Sequence, residues 1–138
     1  MTKNAKLFDE YLKTIDVNLK FTDVEGETFV EMIPPSEGGI KARIGVIFNK
    51  NDSLVSIWCL NFIDGVNPSK RNQILDLINE LNANYTYFKF VMINDSIQIH
   101  SDIPVDDNYS PAQTARTMVG MNDIMKKEYP NIMKTLWS

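Results

Sequence analysis

The stretch Leu75–Val105, LDLINELNANYTYFKFVMINDSIQIHSDIPV, decides the fold. Together with Ile74, the residues Leu75, Leu77, Ile78 and Leu81 form an apolar stripe at helical spacing. Asn82-Ala83-Asn84 then offers residues that tolerate the left-handed backbone of a helix C-cap. Tyr87–Ile93 and Ile97–Val105 are rich in aromatic and β-branched residues and flank Asn94-Asp95-Ser96, the pattern of a hairpin. A helix running directly into paired strands argues for an α+β domain.

Upstream, Leu7, Phe8, Tyr11, Leu12 and Ile15 make the stripe of a first helix. Leu19–Asp23 and Glu27–Ile33 read as short strands joined at Gly26, which can take the positive φ of a tight turn. The segment Pro34–Gly39, PPSEGG, ends any ladder and reads as an exposed connection. Ile40–Phe48 and Leu54–Ile63 are the strongest strands and flank the turn-forming run Asn49–Ser53. Ala42, Ile44, Val46 and Phe48 share one face of the first. In the second, Leu54, Trp58, Leu60 and Phe62 oppose Val55, Ile57, Cys59 and Ile63. Both faces are thus partly apolar, so either helices cover part of each or one face meets a partner.

Asn67-Pro68 reads as N-cap and first helical position of the helix that enters the opening stretch. Ser110-Pro111-Ala112-Gln113 has the same logic, with a capping-box acceptor, before a long last helix. Its expected inward stripe is Ala115, Met118, Val119, Asn122, Met125 and Tyr129. Pro130 should kink or restart it, and Ile132, Met133, Leu136 and Trp137 should return an apolar tail to the body. The expectation is one domain over residues 1–138: a mainly antiparallel sheet of five to six strands with three helices, in the order α-β-β-β-β-α-β-β-α.

Chemistry is sparse. The chain has 138 residues, 43% of them hydrophobic and 23% charged, close to a globular average. Its net charge of -4 argues against a general nucleic-acid surface. Lys126, Lys127 and Lys134, set against Asp123 and Glu128, read as a solvated helix face. No apolar run approaches the length of a membrane span, and the expected compartment is the cytoplasm. One cysteine and one histidine exclude a His-pair metal site or a CxxC cluster within the chain.

Cys59 sits in an apolar strand, the setting of a buried thiol and not of a nucleophile paired with His100. His100 alternates with isoleucines and should lie on the solvent side of its strand. Asp95, Asp102, Asp106 and Asp107 lack the spacing of a calcium loop and read as solvated loop charge. No enzyme, cofactor or metal is expected. Trp58, Leu60, Phe62, Phe88, Phe90 and Met92 are the candidate partner-binding residues, on an apolar surface for a protein client or a homodimer.

The element order, LINELNANYTYFKF with its Asn79-x-x-Asn82 pair ahead of an aromatic strand, the following Ser96-Ile-Gln-Ile-His-Ser-Asp, and the late Glu128-Tyr129-Pro130 resemble the YbjN family of bacterial proteins. The likeness covers most of the chain and is strongest from Ile74 to Asp102; the Pro34–Gly39 loop and an extra strand near the N-terminus depart from it. The resemblance implies the fold of type III secretion chaperones and a small cytoplasmic regulator that often self-associates and has no known enzymatic activity. Chaperones of that fold bind extended client segments along apolar grooves beside the sheet. The leading expectation is therefore a chaperone-like or regulatory protein-binding module. The alternative is a phage or mobile-element accessory protein that inhibits a host factor by binding it.

Overall fold

A computed structural model describes residues 1–34 and 38–138. Pro35, Ser36 and Glu37, the centre of the expected connecting loop, lie outside the described residues. Among those described the order is α1 (Lys3–Thr14), β1 (Phe21–Val24), β2 (Glu27–Met32), β3 (Ile44–Phe48), β4 (Leu54–Ile63), α2 (Arg71–Asn84), β5 (Lys89–Ile93), β6 (Ser96–Pro104) and α3 (Pro111–Leu136). A single 3-10 turn, Pro68–Lys70, leads into α2 and is capped by the Asn67 side chain. The six strands form one antiparallel sheet in the order β1-β2-β3-β4-β6-β5.

Local chemistry places these elements. Glu25 and Gly26 both have positive φ, 51° and 85°, the pairing a two-residue type I′ turn requires between β1 and β2. Between β3 and β4, the Asn49 side-chain oxygen accepts from the backbone N–H groups of Ser53 and Leu54, each at 2.9 Å. Asp52 of that turn accepts the Asn4 backbone N–H at 3.0 Å and so seats the start of α1. Ser110 caps α3 by accepting from the Gln113 backbone N–H at 3.2 Å.

All three helices pack on one face of the sheet. Phe8 and Leu12 of α1, Ile74, Ile78 and Leu81 of α2, and Met118, Met121, Met125 and Ile132 of α3 meet Val30, Val46, Phe48, Ile57, Phe90 and Ile99 in one core. Phe48 lies under the Phe8 ring at 5.7 Å between centroids and beside Tyr109 at 6.0 Å. The inward row of α3 is Thr114, Met118, Met121, Met125, Glu128 and Ile132, spaced 4, 3, 4, 3, 4. This corrects the expected stripe: Val119 is exposed, and the polar Thr114 and Glu128 conceal the true row in the sequence. Helix α3 runs unbroken through Pro130, and Trp137 stands in solvent instead of folding back.

Asn82 does not cap α2 in the left-handed conformation. Tyr85 ends the helix in an extended backbone, and none of Asn82, Ala83 or Asn84 has positive φ. Asn82 Nδ2 instead donates to the Phe90 carbonyl at 2.9 Å while its Oδ1 accepts the Phe90 N–H at 2.7 Å, so one side chain pairs with the outer edge of β5. Lys89 Nζ donates to the Asn82 and Tyr85 carbonyls, placing a cation at the carbonyl end of α2. Asn82→Ala leaves both Phe90 backbone groups without their partner, and a loss of about 1–3 kcal/mol in urea unfolding is expected. Asn82→Asp, which keeps only the acceptor, should fall between.

Candidate functional site

Among the described residues, no helix covers the second face of the sheet. Alternation places Phe29 of β2, Gly45 and Ile47 of β3, Trp58 and Leu60 of β4, and His100 of β6 on this face. Gly45 pairs with Trp58, and Trp58 pairs with His100, so the centre is a cross-strand row. The imidazole stacks on the indole, with centroids 4.6 Å apart and planes 14° from parallel. Phe29 leans over Gly45: a Cβ added there would lie 2.9 Å from the Phe29 ring, so only glycine leaves the ring this position. Next to it is a depression of about 370 Å³ between Phe29, Trp58 and Leu60, edged by Glu31, Arg43 and Asn61. Arg43 and Glu31 form an ion pair at 3.2 Å on that rim.

Among the described residues, Trp58 Nε1 is the one buried side-chain nitrogen or oxygen without a hydrogen-bond partner. Leu60 is 50% exposed, an unusual position for a leucine in a central strand. The centre of this face is aromatic and aliphatic, and its rim carries the Glu31–Arg43 pair.

Of the six residues expected to bind a partner, Trp58 and Leu60 lie on this open face. The other four do not. Phe62 and Phe90 are 3% and 1% exposed within the helix-side core, 6.3 Å apart between ring centroids. Phe88 packs beside Gly120 of α3, and Met92 is half-buried against the core with its sulfur 3.2 Å from Arg71. The error at Phe62 has a clear cause. From Cys59 to Ile63 the chain takes four steps while its partner takes two, Ile99 to Ile97, so β4 carries a bulge that breaks the alternation. Phe62 and Ile63 both turn inward as a result. Asn61 within the bulge accepts the Arg43 backbone N–H at 3.2 Å and donates to the Lys41 carbonyl at 3.3 Å.

The reactive side chains are kept apart. Cys59 is fully buried on the helix side and burial pushes its thiol up to about 12, while His100, paired with Trp58, projects from the opposite face. They cannot act as nucleophile and base on one substrate. A second polar cluster lies between α2 and α3, where buried Glu128 accepts from the Tyr85 hydroxyl and, at 2.8 Å, from Asn131. Burial, followed by the Glu128 carboxylate, pushes the Tyr85 phenol up to about 12, which keeps it a donor even well above neutral pH. That geometry ties two helices together and leaves no free base. No group of three or more histidine, cysteine, aspartate or glutamate side chains converges among the described residues. No helix among them is long and apolar enough to cross a membrane.

Burial holds the His100 imidazole below its ordinary value, with Asp102 opposing. As pH falls below about 6.5, the unfolded chain takes up the His100 proton before the folded chain does. Stability contributed above that pH is therefore lost as pH drops through the folded value. Urea midpoints measured from about pH 8 to pH 5 should decline on the acid side, and His100→Gln should flatten that part of the profile. An unchanged profile in the variant would remove His100 from the explanation.

Comparison with protein-family models, with curated proteins and with solved structures found no match to this chain.

Proposed function

We propose that this chain is a non-enzymatic protein-binding module, chaperone-like or regulatory, and that the open sheet face is its contact surface. The observation that carries the reading is one-sided coverage. Six strands are covered by helices on a single face, and the other presents Phe29, Ile47, Trp58 and Leu60 around a shallow depression. Folding alone gives no reason to leave Leu60 of a central strand half in solvent. Such exposure is an ordinary feature of a surface whose energy is realised on association.

The YbjN resemblance supports the same reading, as a small cytoplasmic regulator of that family. It rests on LINELNANYTYFKF and the strand after it. Within that motif Asn82 fastens the edge strand β5, a structural role that any binding function built on this sheet would need. The occupant of the face is a protein: a second copy of the chain or a client. The net charge of -4 and the single Glu31–Arg43 pair on the rim favour neither nucleic acid nor an anionic membrane.

A photo-reactive side chain placed at Leu60 in the native cell reads the occupant directly. A defined adduct, with either a second copy or one other protein, is expected from position 60 and not from the outward-facing Glu10 of α1. Leu60→Asp should abolish the corresponding association in sedimentation experiments while leaving the circular dichroism melt intact. Equal labelling from both positions, or none from position 60, would contradict the assignment.

A further inference from the structure

A groove of about 950 Å³ opens where β5 stops, between the outer end of β6 and the first half of α3. It shares no residue with the depression beside Phe29 and Trp58, and its size is that of a small-molecule pocket. Its floor holds Ser101, which faces the helices between Ile99 and Ile103 and is 5% exposed. The Ser101 side chain makes no hydrogen bond among the described residues. Trp58 Nε1 is the one such unpartnered atom sealed from solvent, so the Ser101 hydroxyl opens on the groove it lines.

A backbone donor lies next to it. Alternate amides of β6 face opposite sides, and the Val105 N–H, three residues on, bonds Ser53 on the β4 side, so the Asp102 N–H points away from β4 into the gap. Pairing with β5 has already ended at Lys89 and His100, and no described backbone group takes this amide up. One free amide is too little to hold a strand and enough for one oxygen of a ligand.

Helix α3 supplies the charge. Arg116 lines the groove, is exposed and makes no hydrogen bond or ion pair among the described residues. Lys89 is already turned to the carbonyl end of α2, and the Asp102 carboxylate lies on the opposite side of β6 from Ser101. One uncommitted guanidinium with a carboxylate nearby suits a monoanion better than a dianion. The remaining wall is aromatic. Phe88 lies against Gly120, where an added Cβ would come within 3.1 Å of its ring, and Tyr87 beside it is 78% exposed. Glycine is unfavourable inside a helix, so this position gives up helix stability for the seat of a ring.

We propose that this groove is a small-molecule site, independent of the open sheet face, for an aromatic monocarboxylate. Its carboxylate accepts from the Arg116 guanidinium, the Ser101 hydroxyl and the Asp102 N–H, and its ring packs on Phe88 and Ile103.

The test titrates the full chain with 2-naphthoate and follows backbone amide resonances by NMR. Saturable shifts centred on Ser101, Asp102 and Arg116 are expected, with affinity about tenfold weaker for the uncharged 2-naphthamide and no tighter for 2-naphthyl phosphate. Arg116→Gln, at an exposed helix position, should lose about tenfold for 2-naphthoate and nothing for the amide while keeping the parent melt. Ser101→Val, which suits a strand and fills the floor, should abolish binding of both. Leu60→Asp should bind like the parent, so a failure at the open face and a failure here are told apart.

Absence of saturable shifts at millimolar probe, shifts centred on Trp58 and Leu60, or equal affinity for acid and amide would each overturn the proposal. Tighter binding of the phosphate would overturn the monocarboxylate assignment, and an Arg116→Gln chain that folds and binds 2-naphthoate unchanged would remove the guanidinium from the site and the proposal with it.

Discussion

One constraint governs the molecule: three helices share a single face of one sheet. Phe8, Ile74, Met121 and Met125 all converge on the side that carries Val46, Phe48, Ile57, Phe90 and Ile99. Burial at about 25 cal/mol per Å² of apolar surface makes this side the dominant stabilising term. The heptad-like inward row of α3 lets that long helix lie along the sheet and touch both α1 and α2. Once the helices are committed to this side, no described helix is left to cover the other face.

The bulge in β4 belongs to the same constraint. A regular strand would have placed Phe62 on the open face beside Trp58 and Leu60. The two extra residues between Cys59 and Ile63 send Phe62 inward, where it meets Phe90 and the Tyr129 ring at 6.1 Å. The open face thereby loses one aromatic and the core gains one. Asn61 stabilises the irregularity by holding the backbone just ahead of β3. Asn82 performs a comparable task at the other side of the sheet, where its amide stands in for a strand partner of Phe90.

Much of this was legible in the sequence, and the failures are instructive. Element order, the three hairpins, the Asn67 and Ser110 caps and the inward face of β3 all follow from local patterns that the structure keeps. The row of α3 was hidden because Thr114 and Glu128 are polar. Glu128 is buried only because Tyr85 and Asn131, 43 and 3 residues away, satisfy it. Phe62 was misplaced because period-two alternation contains no signal for a bulge. The roles of Phe29, Gly45 and His100 on the open face depend on which strands become neighbours, which alternation within one strand cannot reveal. Gly45 gave a faint clue, a glycine inside a strong strand, which marks a close approach to other atoms.

The central claim is that the Trp58 face is free in the isolated chain while the helix face is closed. Hydroxyl-radical footprinting of dilute protein, read residue by residue by mass spectrometry, tests it most directly. Rapid oxidation of Leu60 and Trp58, with strong protection of Phe62, Phe90, Met121 and Met125, is the expected result. Protection of Leu60 and Trp58 in dilute monomer, or oxidation of Phe62 and Phe90 at comparable rates, would contradict it.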